Sequence, residues 1–148
     1  MSANPNSYDN DVIAWANEQA RLLRAGRFDA LDIEHIADEI EDVGKSEKRE
    51  IKNRMIVLLS HLLKWGRQPE RQGNSWRRTI NVQRRDIVDC LKATPSLKPD
   101  LQHLEWLESV WAGALDMTVK ETGLPFDAFP EECPWTVAQV LDGNFWPD

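Results

Sequence analysis

The chain has 148 residues, of which 41% are hydrophobic and 29% are charged, as is typical of one globular domain. Its 18 basic and 25 acidic residues give a net charge of −7, which argues against sequence-blind binding to nucleic acid or to an anionic membrane. No apolar run approaches the ~20 residues of a membrane-spanning helix, and the distant Cys90 and Cys133 do not form a disulfide scaffold or a zinc motif. We therefore predict a single domain over residues 1–148, located in the cytoplasm and without a cofactor.

The first predicted element is an amphipathic helix. Apolar side chains recur at spacings of three and four between Val12 and Leu23, which is the period of one helix face. A cap signal at Ser7 and Asp9 precedes the run and Gly26 ends it, so the pattern predicts a helix of about four turns.

The second predicted element is one long helix. Its apolar stripe starts at Ile33, reaches Val43, resumes at Ile51 and continues to Trp65 without a change of register. The stripe loses its apolar character at Gly44–Glu47, where we predict a kink or a break, with Ser46 as the cap of a separate helix.

Two further helices and a different C-terminal segment follow. Ser75 precedes a stripe that continues to Ala93, and Ser96 precedes another that ends at Gly123. The tail after Gly123 is rich in proline and tryptophan, and a capping box at Thr136-Val-Ala-Gln139 predicts a short helix there. We predict an all-α fold, a helical bundle of four main helices, with the tail as an apolar strap that contains the short helix.

Charge is segregated along the sequence. The segment 29–42 is acidic, and the segment 64–85 is basic with only Glu70 opposing. One interpretation is that the two surfaces face each other or are simply solvated, in which case paired surface charges contribute little to stability. The other is that the basic segment is a hairpin, Trp65 to Arg85, that binds an anion. The anionic group would belong to an acidic protein partner or, with Trp65 and Trp76 stacking on bases, to nucleic acid, which the net charge makes the less favoured of the two.

Histidines and carboxylates suggest a metal site as an alternative. His35 and Glu39 share a helix face, and Asp32-x-x-His35 is repeated as Asp100-x-x-His103, a spacing related to the Glu-x-x-His pairs of di-iron bundles. The stronger interpretation is that both aspartates stabilise helix N-termini. His61 lies beside the apolar stripe and is interpreted as a partly buried packing residue.

Several motifs resemble one family. Tyr8-Asp9-x-Asp11-x-x-x-Trp15, Glu39-Ile40-Glu41-Asp42-x-Gly44-Lys45-Ser46-Glu47 and Leu58-Leu59-x-His61-Leu62-Leu63-Lys64-Trp65 are similar to motifs of bacterial domain-of-unknown-function family 29. The resemblance covers nearly the whole chain. It implies an all-helical protein without an established activity.

The sequence therefore predicts no specific chemistry. We expect a non-enzymatic interaction protein, as a homodimer or with an acidic protein partner, acting through the basic hairpin or a Trp-rich surface. The alternatives are a metal-dependent helical-bundle enzyme that uses Glu39 and His61, and a nucleic-acid-binding accessory protein. The candidate interaction residues are Glu39, Asp42, His61, Lys64, Arg77, Arg78, Gln83, Arg84 and Arg85.

Overall fold

The computed structural model describes residues 4–148, and all regular structure within that range is helical. The predicted all-α class is confirmed. Five α-helices follow in chain order: α1 (Val12–Arg24), α2 (Ile33–Arg67), α3 (Asn74–Ala93), α4 (Leu104–Thr122) and α5 (Val137–Leu141). None of the helices in the described range is both long enough and apolar enough to cross a bilayer.

The chain divides into two compact units, Met1–Glu47 and Lys48–Asp148, which we call unit 1 and unit 2. Helix α2 contributes residues to both. The prediction of one domain over residues 1–148 stays a prediction.

Unit 1 contains α1 and the first part of α2. Asp11 caps α1, because its side chain accepts a hydrogen bond of 3.1 Å from the backbone amide of Ala14. The cap is therefore not Ser7 or Asp9. Gly26 has a φ of 72°, a left-handed conformation that ends the helix at little steric cost.

Helix α2 is continuous over 35 residues, so the predicted break at Gly44–Ser46 is wrong. A single glycine destabilises a helix interior by only about 1 kcal/mol relative to alanine, and no proline follows it to block the next turn. Ser46 is accordingly an ordinary helical residue rather than a cap.

Helices α3 and α4 also begin differently from the prediction. Helix α3 begins at Asn74, after Gly73, and Ser75 lies inside it. The segment predicted as the start of the fourth helix is a 3₁₀ helix, Pro95–Gln102, because Pro99 has no amide hydrogen to donate to the preceding turn. Helix α4 begins at Leu104 and ends, as predicted, at Gly123, whose φ is 74°.

The core of unit 2 forms where the second part of α2 packs with the later elements. Among its fully buried side chains are Leu58, Leu62, Ile80, Ile87 and Val110. Helix α4 approaches α2 so closely that a Cβ on Gly113 would stand 2.7 Å from Cδ1 of Ile56. The buried hydroxyl of Ser60 donates a hydrogen bond of 2.8 Å to that of Thr118, which donates in turn to the carbonyl oxygen of Ala114 at 2.7 Å.

The C-terminal tail forms the predicted strap. Thr136 and Gln139 make the capping box of α5, and Val140 is buried in the core of unit 2. Near the chain end, the Trp146 ring packs against Trp65 with centroids 4.6 Å apart. Tryptophan burial of this kind explains part of the high tryptophan content of the chain.

Candidate interaction surface

Arg84, a candidate from the sequence, is buried in unit 2 and bonds there to the C-terminal tail. The residue is 4% exposed, and its guanidinium donates hydrogen bonds to the carbonyl oxygens of Val140, at 2.8 Å, and Phe145, at 2.6 Å. It also lies 5.3 Å from the centroid of the Trp146 ring, which favours a cation. Burial lowers the pKa of Arg84. The arginine therefore fixes the tail to α3.

Lys64 and His61 are also engaged inside unit 2. The ammonium of Lys64 pairs with Glu121 and lies 5.8 Å from the Trp76 ring centroid. Nδ1 of His61 donates a hydrogen bond of 2.8 Å to the carbonyl oxygen of Val57. Burial lowers the pKa of His61 because the charged imidazolium loses solvation. Its partly buried position agrees with the predicted packing role.

The remaining candidates of unit 2 are mostly exposed. Gln83 accepts a hydrogen bond of 3.4 Å from Arg54, and Arg77 covers the Trp65 ring at 5.6 Å from its centroid. Arg78 and Arg85 present their side chains to solvent. The structure thus divides the basic segment into residues that hold the tail and residues that remain at the surface, and a partner for the latter stays a prediction.

The candidates Glu39 and Asp42 lie in unit 1, where Tyr8 is the residue that sequence reasoning left without a role. Tyr8 donates its hydroxyl hydrogen to Oε1 of Glu39 at 2.6 Å, and its ring stacks on His35 with centroids 4.1 Å apart. The hydrogen bond to Glu39, with burial and nearby carboxylates including Asp42, raises the pKa of Tyr8 to about 12. Tyr8 is therefore a neutral donor that pins the N-terminal segment to α2.

Asp32 joins α1 to the start of α2. Its Oδ2 accepts a hydrogen bond of 2.9 Å from Nε1 of Trp15 and lies 2.7 Å from Nδ1 of His35, while its backbone amide donates to Gln19 at 2.8 Å. The hydrogen bond between the side chains of His35 and Asp32 is the main cause that raises the pKa of His35 and lowers the pKa of Asp32.

These contacts bond the candidate metal ligands of unit 1 to one another or to Tyr8. The ring nitrogen Nδ1 of His35 and one carboxylate oxygen of Asp32 bond to each other, and Glu39 accepts from Tyr8. Within residues 4–148, no group of three or more histidine, cysteine, aspartate or glutamate residues is arranged to hold a metal ion. In the repeated motif, Oδ2 of Asp100 lies 3.6 Å from Nζ of Lys48. His103 is the N-cap residue of α4.

Unit 1 leaves a set of large apolar side chains exposed. Among residues 4–47, only Trp15 and Leu22 are buried. The exposed fraction lies between 45% and 72% for seven residues: six on α1 and α2, namely Val12, Ile13, Leu23, Ile33, Ile40 and Val43, and Phe28 in the connection between the two helices. The apolar stripe of α2 begins at Ile33, but only its continuation from Ile51 onward is buried.

The exposed apolar residues of α1 and α2 lie on one side of the hairpin that these two helices form. The two helices are antiparallel, because Tyr8 meets Glu39 while Trp15 meets Asp32. Successive residues of a helix are rotated by ~100° around its axis. On each of the two helices, the apolar stripe therefore lies about one residue's rotation around the axis from the side that contacts the other helix, in the direction of increasing residue number. In an antiparallel pair these two displacements point to the same side. We call this surface the apolar face; it comprises Val12, Ile13, Ala16, Ala20, Leu23, Ile33, Ala37, Ile40, Val43 and Gly44.

The opposite side of the hairpin is charged. The same geometry places there six residues, which we call the charged face: Glu18, Arg21, Glu34, Asp38, Glu41 and Lys45. Residues 1–47 contain four basic and 11 acidic residues, so they carry −7, whereas residues 48–148 contain 14 of each sign and are neutral. The net charge of the chain therefore belongs to unit 1, and on the hairpin it points away from the apolar face.

Gly44 is open to close approach from outside the chain. Apart from the neighbouring residues and the backbone of α2 itself, no atom of residues 4–148 lies within 4 Å of the position that a Cβ would take at Gly44, so no packing contact among these residues requires a glycine there. A glycine in a helix interior costs about 1 kcal/mol relative to alanine, and close backbone approach is one of the few reasons to place one.

Unit 2 carries an apolar groove of about 960 Å³, at the upper end of the size range of ligand pockets. Its walls include Leu91, Trp106, Leu107 and Leu115. The charged side chains that line it are one amine and three carboxylates: Lys98, Glu108, Glu131 and Glu132. The groove therefore offers apolar contact surface rather than a convergent set of catalytic groups.

Comparison with known proteins gave one match. A family model described as "Domain of unknown function DUF29" matches residues 7–146, which confirms the resemblance that the motifs carry. Neither the curated proteins nor the solved structures contain a match to the chain.

Proposed function

We propose that this chain, which belongs to the DUF29 domain family, is an interaction protein that binds a helical protein partner through the apolar face of unit 1. The observation that carries the proposal is the exposure of six large apolar side chains on one side of a two-helix hairpin. Contiguous exposed apolar surface of this kind is typical of protein–protein interaction sites.

The helical geometry of the apolar face favours a helical partner. Its large side chains are separated by small ones, Ala16 and Ala20 on α1 and Ala37 and Gly44 on α2. Alternating large and small residues form ridges and grooves, into which the side chains of another helix fit at an interaxial distance of 8–10 Å. The polar groups around Asp32 and Glu39 bond to one another, which supports an interaction role over an enzymatic one.

Site-specific photo-crosslinking in cells that express the protein tests the proposal. A photoreactive amino acid replaces Ile40 on the apolar face or, as the matched control, Asp38 on the charged face of the same helix. We expect a discrete protein adduct at position 40 and none at position 38. The absence of an adduct at position 40, or equal adducts at both positions, would contradict the proposal.

A further inference from the structure

We infer that the occupant of the apolar face is a second copy of this chain, so that two α1–α2 hairpins pack face to face as a four-helix bundle. This inference rests on the proposed function and names its partner. In such a dimer the same surface serves both copies, related by a two-fold axis. Four-helix packing of two hairpins is among the commonest ways to bury two-helix apolar layers.

The first argument is the thin core of unit 1. Its 44 described residues bury only two large side chains, Trp15 and Leu22, which are 5% and 7% exposed. Domains of this length usually need a disulfide, a metal or oligomerisation for stability. Residues 1–47 contain no cysteine, and no metal-binding group is present among residues 4–148. Helix α2 continues from unit 1 into unit 2, and association of copies adds stabilisation that neither a disulfide nor a metal provides.

The second argument is the distribution of charge. A strongly basic partner would be drawn to the charged face, where Glu34, Asp38 and Glu41 lie. The ten residues of the apolar face are uncharged, and Glu47, one turn after Val43, adds the one charge at its end. The face therefore suits another surface with little charge, and a second copy supplies one. In the face-to-face dimer the two charged faces point outward on opposite sides, about 20 Å apart. This distance exceeds two Debye lengths at physiological salt, so the repulsion between them is weak.

The third argument is the match between area and geometry. Six large apolar side chains, each burying on the order of 100 Å², give about 1,200 Å² over both copies, the lower limit of the range for stable specific interfaces. The open space at Gly44 allows the backbone of the facing helix to approach closely. Because every substitution occurs twice in a two-fold interface, the dimer is expected to be sensitive to single changes.

Sedimentation equilibrium of the purified full-length chain tests the inference. We expect the wild type to form a dimer whose dissociation constant rises about a hundredfold on Ile40→Glu, since the apolar contact is lost in both copies. Ile40→Lys adds the opposite charge and should weaken the dimer to a similar extent. Lys45→Gln, on the charged face, changes the net charge by the same amount as Ile40→Glu and should leave the dissociation constant within about twofold.

Circular dichroism of each variant controls for folding, and Ile40 is 68% exposed in the single chain, so neither replacement buries a charge in the monomer. The inference would be overturned by a wild type that stays monomeric at 100 times its concentration in the cells of the crosslinking experiment. It would also be overturned by a dimer that neither Ile40 variant weakens.

The crosslinking experiment separates the two proposals. An adduct at position 40 with a mass other than two chains keeps the interaction role and removes the second copy, whereas no adduct removes both.

Discussion

At the residue scale, Asp32 is the centre of unit 1. It connects the indole of Trp15, the imidazole of His35 and, through its amide, the side chain of Gln19. These contacts join α1 to the first turn of α2. Asp32 also lies at the positive end of the α2 dipole, where a carboxylate is favoured. The pairing of the two helices is therefore sensitive to the protonation of this residue and of His35.

We predict that the His35–Asp32 pair makes unit 1 most stable in mildly acidic solution. The pKa of His35 is raised above its ordinary value of 6.5, so its contribution is complete below pH 6.5 and is lost as the pH rises through the folded-state pKa. The pKa of Asp32 is lowered below 3.8, so its contribution is present above pH 3.8 and is lost as the pH falls through the folded-state pKa.

Urea unfolding of the wild type and of His35→Gln, at pH 6 and at pH 8.5, measures this effect. Glutamine keeps a hydrogen-bond donor but does not titrate. The wild type should exceed the variant in free energy of unfolding at pH 6, and the difference should shrink at pH 8.5. A difference that stays constant or grows between these two pH values would rule out the assigned role of the pair.

At the element scale, periodicity predicts which segments are helical but not which stripes are covered. The stripe from Ile33 to Trp65 keeps one register, yet its first part is exposed and its second part is buried. The 3–4 spacing reports only that one side of a helix is apolar. What covers that side depends on other elements or other chains, which the spacing does not encode.

The break predicted near Gly44 shows the same limit. Glycine lowers helix propensity, but the strong helix formers on both sides carry α2 through it. The open space around Gly44, which we propose another helix approaches, is visible only in the structure.

We predict that Gly44→Ala has different effects in the dissociated and the associated protein. In the Ile40→Glu background, alanine should stabilise α2 by about 0.5–1 kcal/mol through helix propensity. In the wild type, the added methyl group meets the facing helix, so the gain should be smaller or reversed. Thermal unfolding of the four proteins measures both values, and an equal gain in the two backgrounds would mean that no helix approaches Gly44.

At the scale of the whole molecule, the chain combines a neutral unit with a large core and an acidic unit with a small one. Family, fold class and the strap with its capped short helix follow from motifs and turn residues that are local in sequence. The roles of Arg84 and Lys64 do not, because their partners are 56 or more residues away. Basic residues clustered in sequence therefore looked like one anion-binding surface, although the fold uses two of them internally.

Amide hydrogen exchange tests the central claim most directly, that the apolar face of unit 1 is covered by another chain. The wild type and Ile40→Glu are compared at the same protein concentration. We predict that α1 and residues 33–47 exchange much faster in the variant, while residues 51–65 of unit 2, including the buried Leu58 and Leu62, exchange equally in both proteins. Equal protection of unit 1 in the two proteins would contradict the claim.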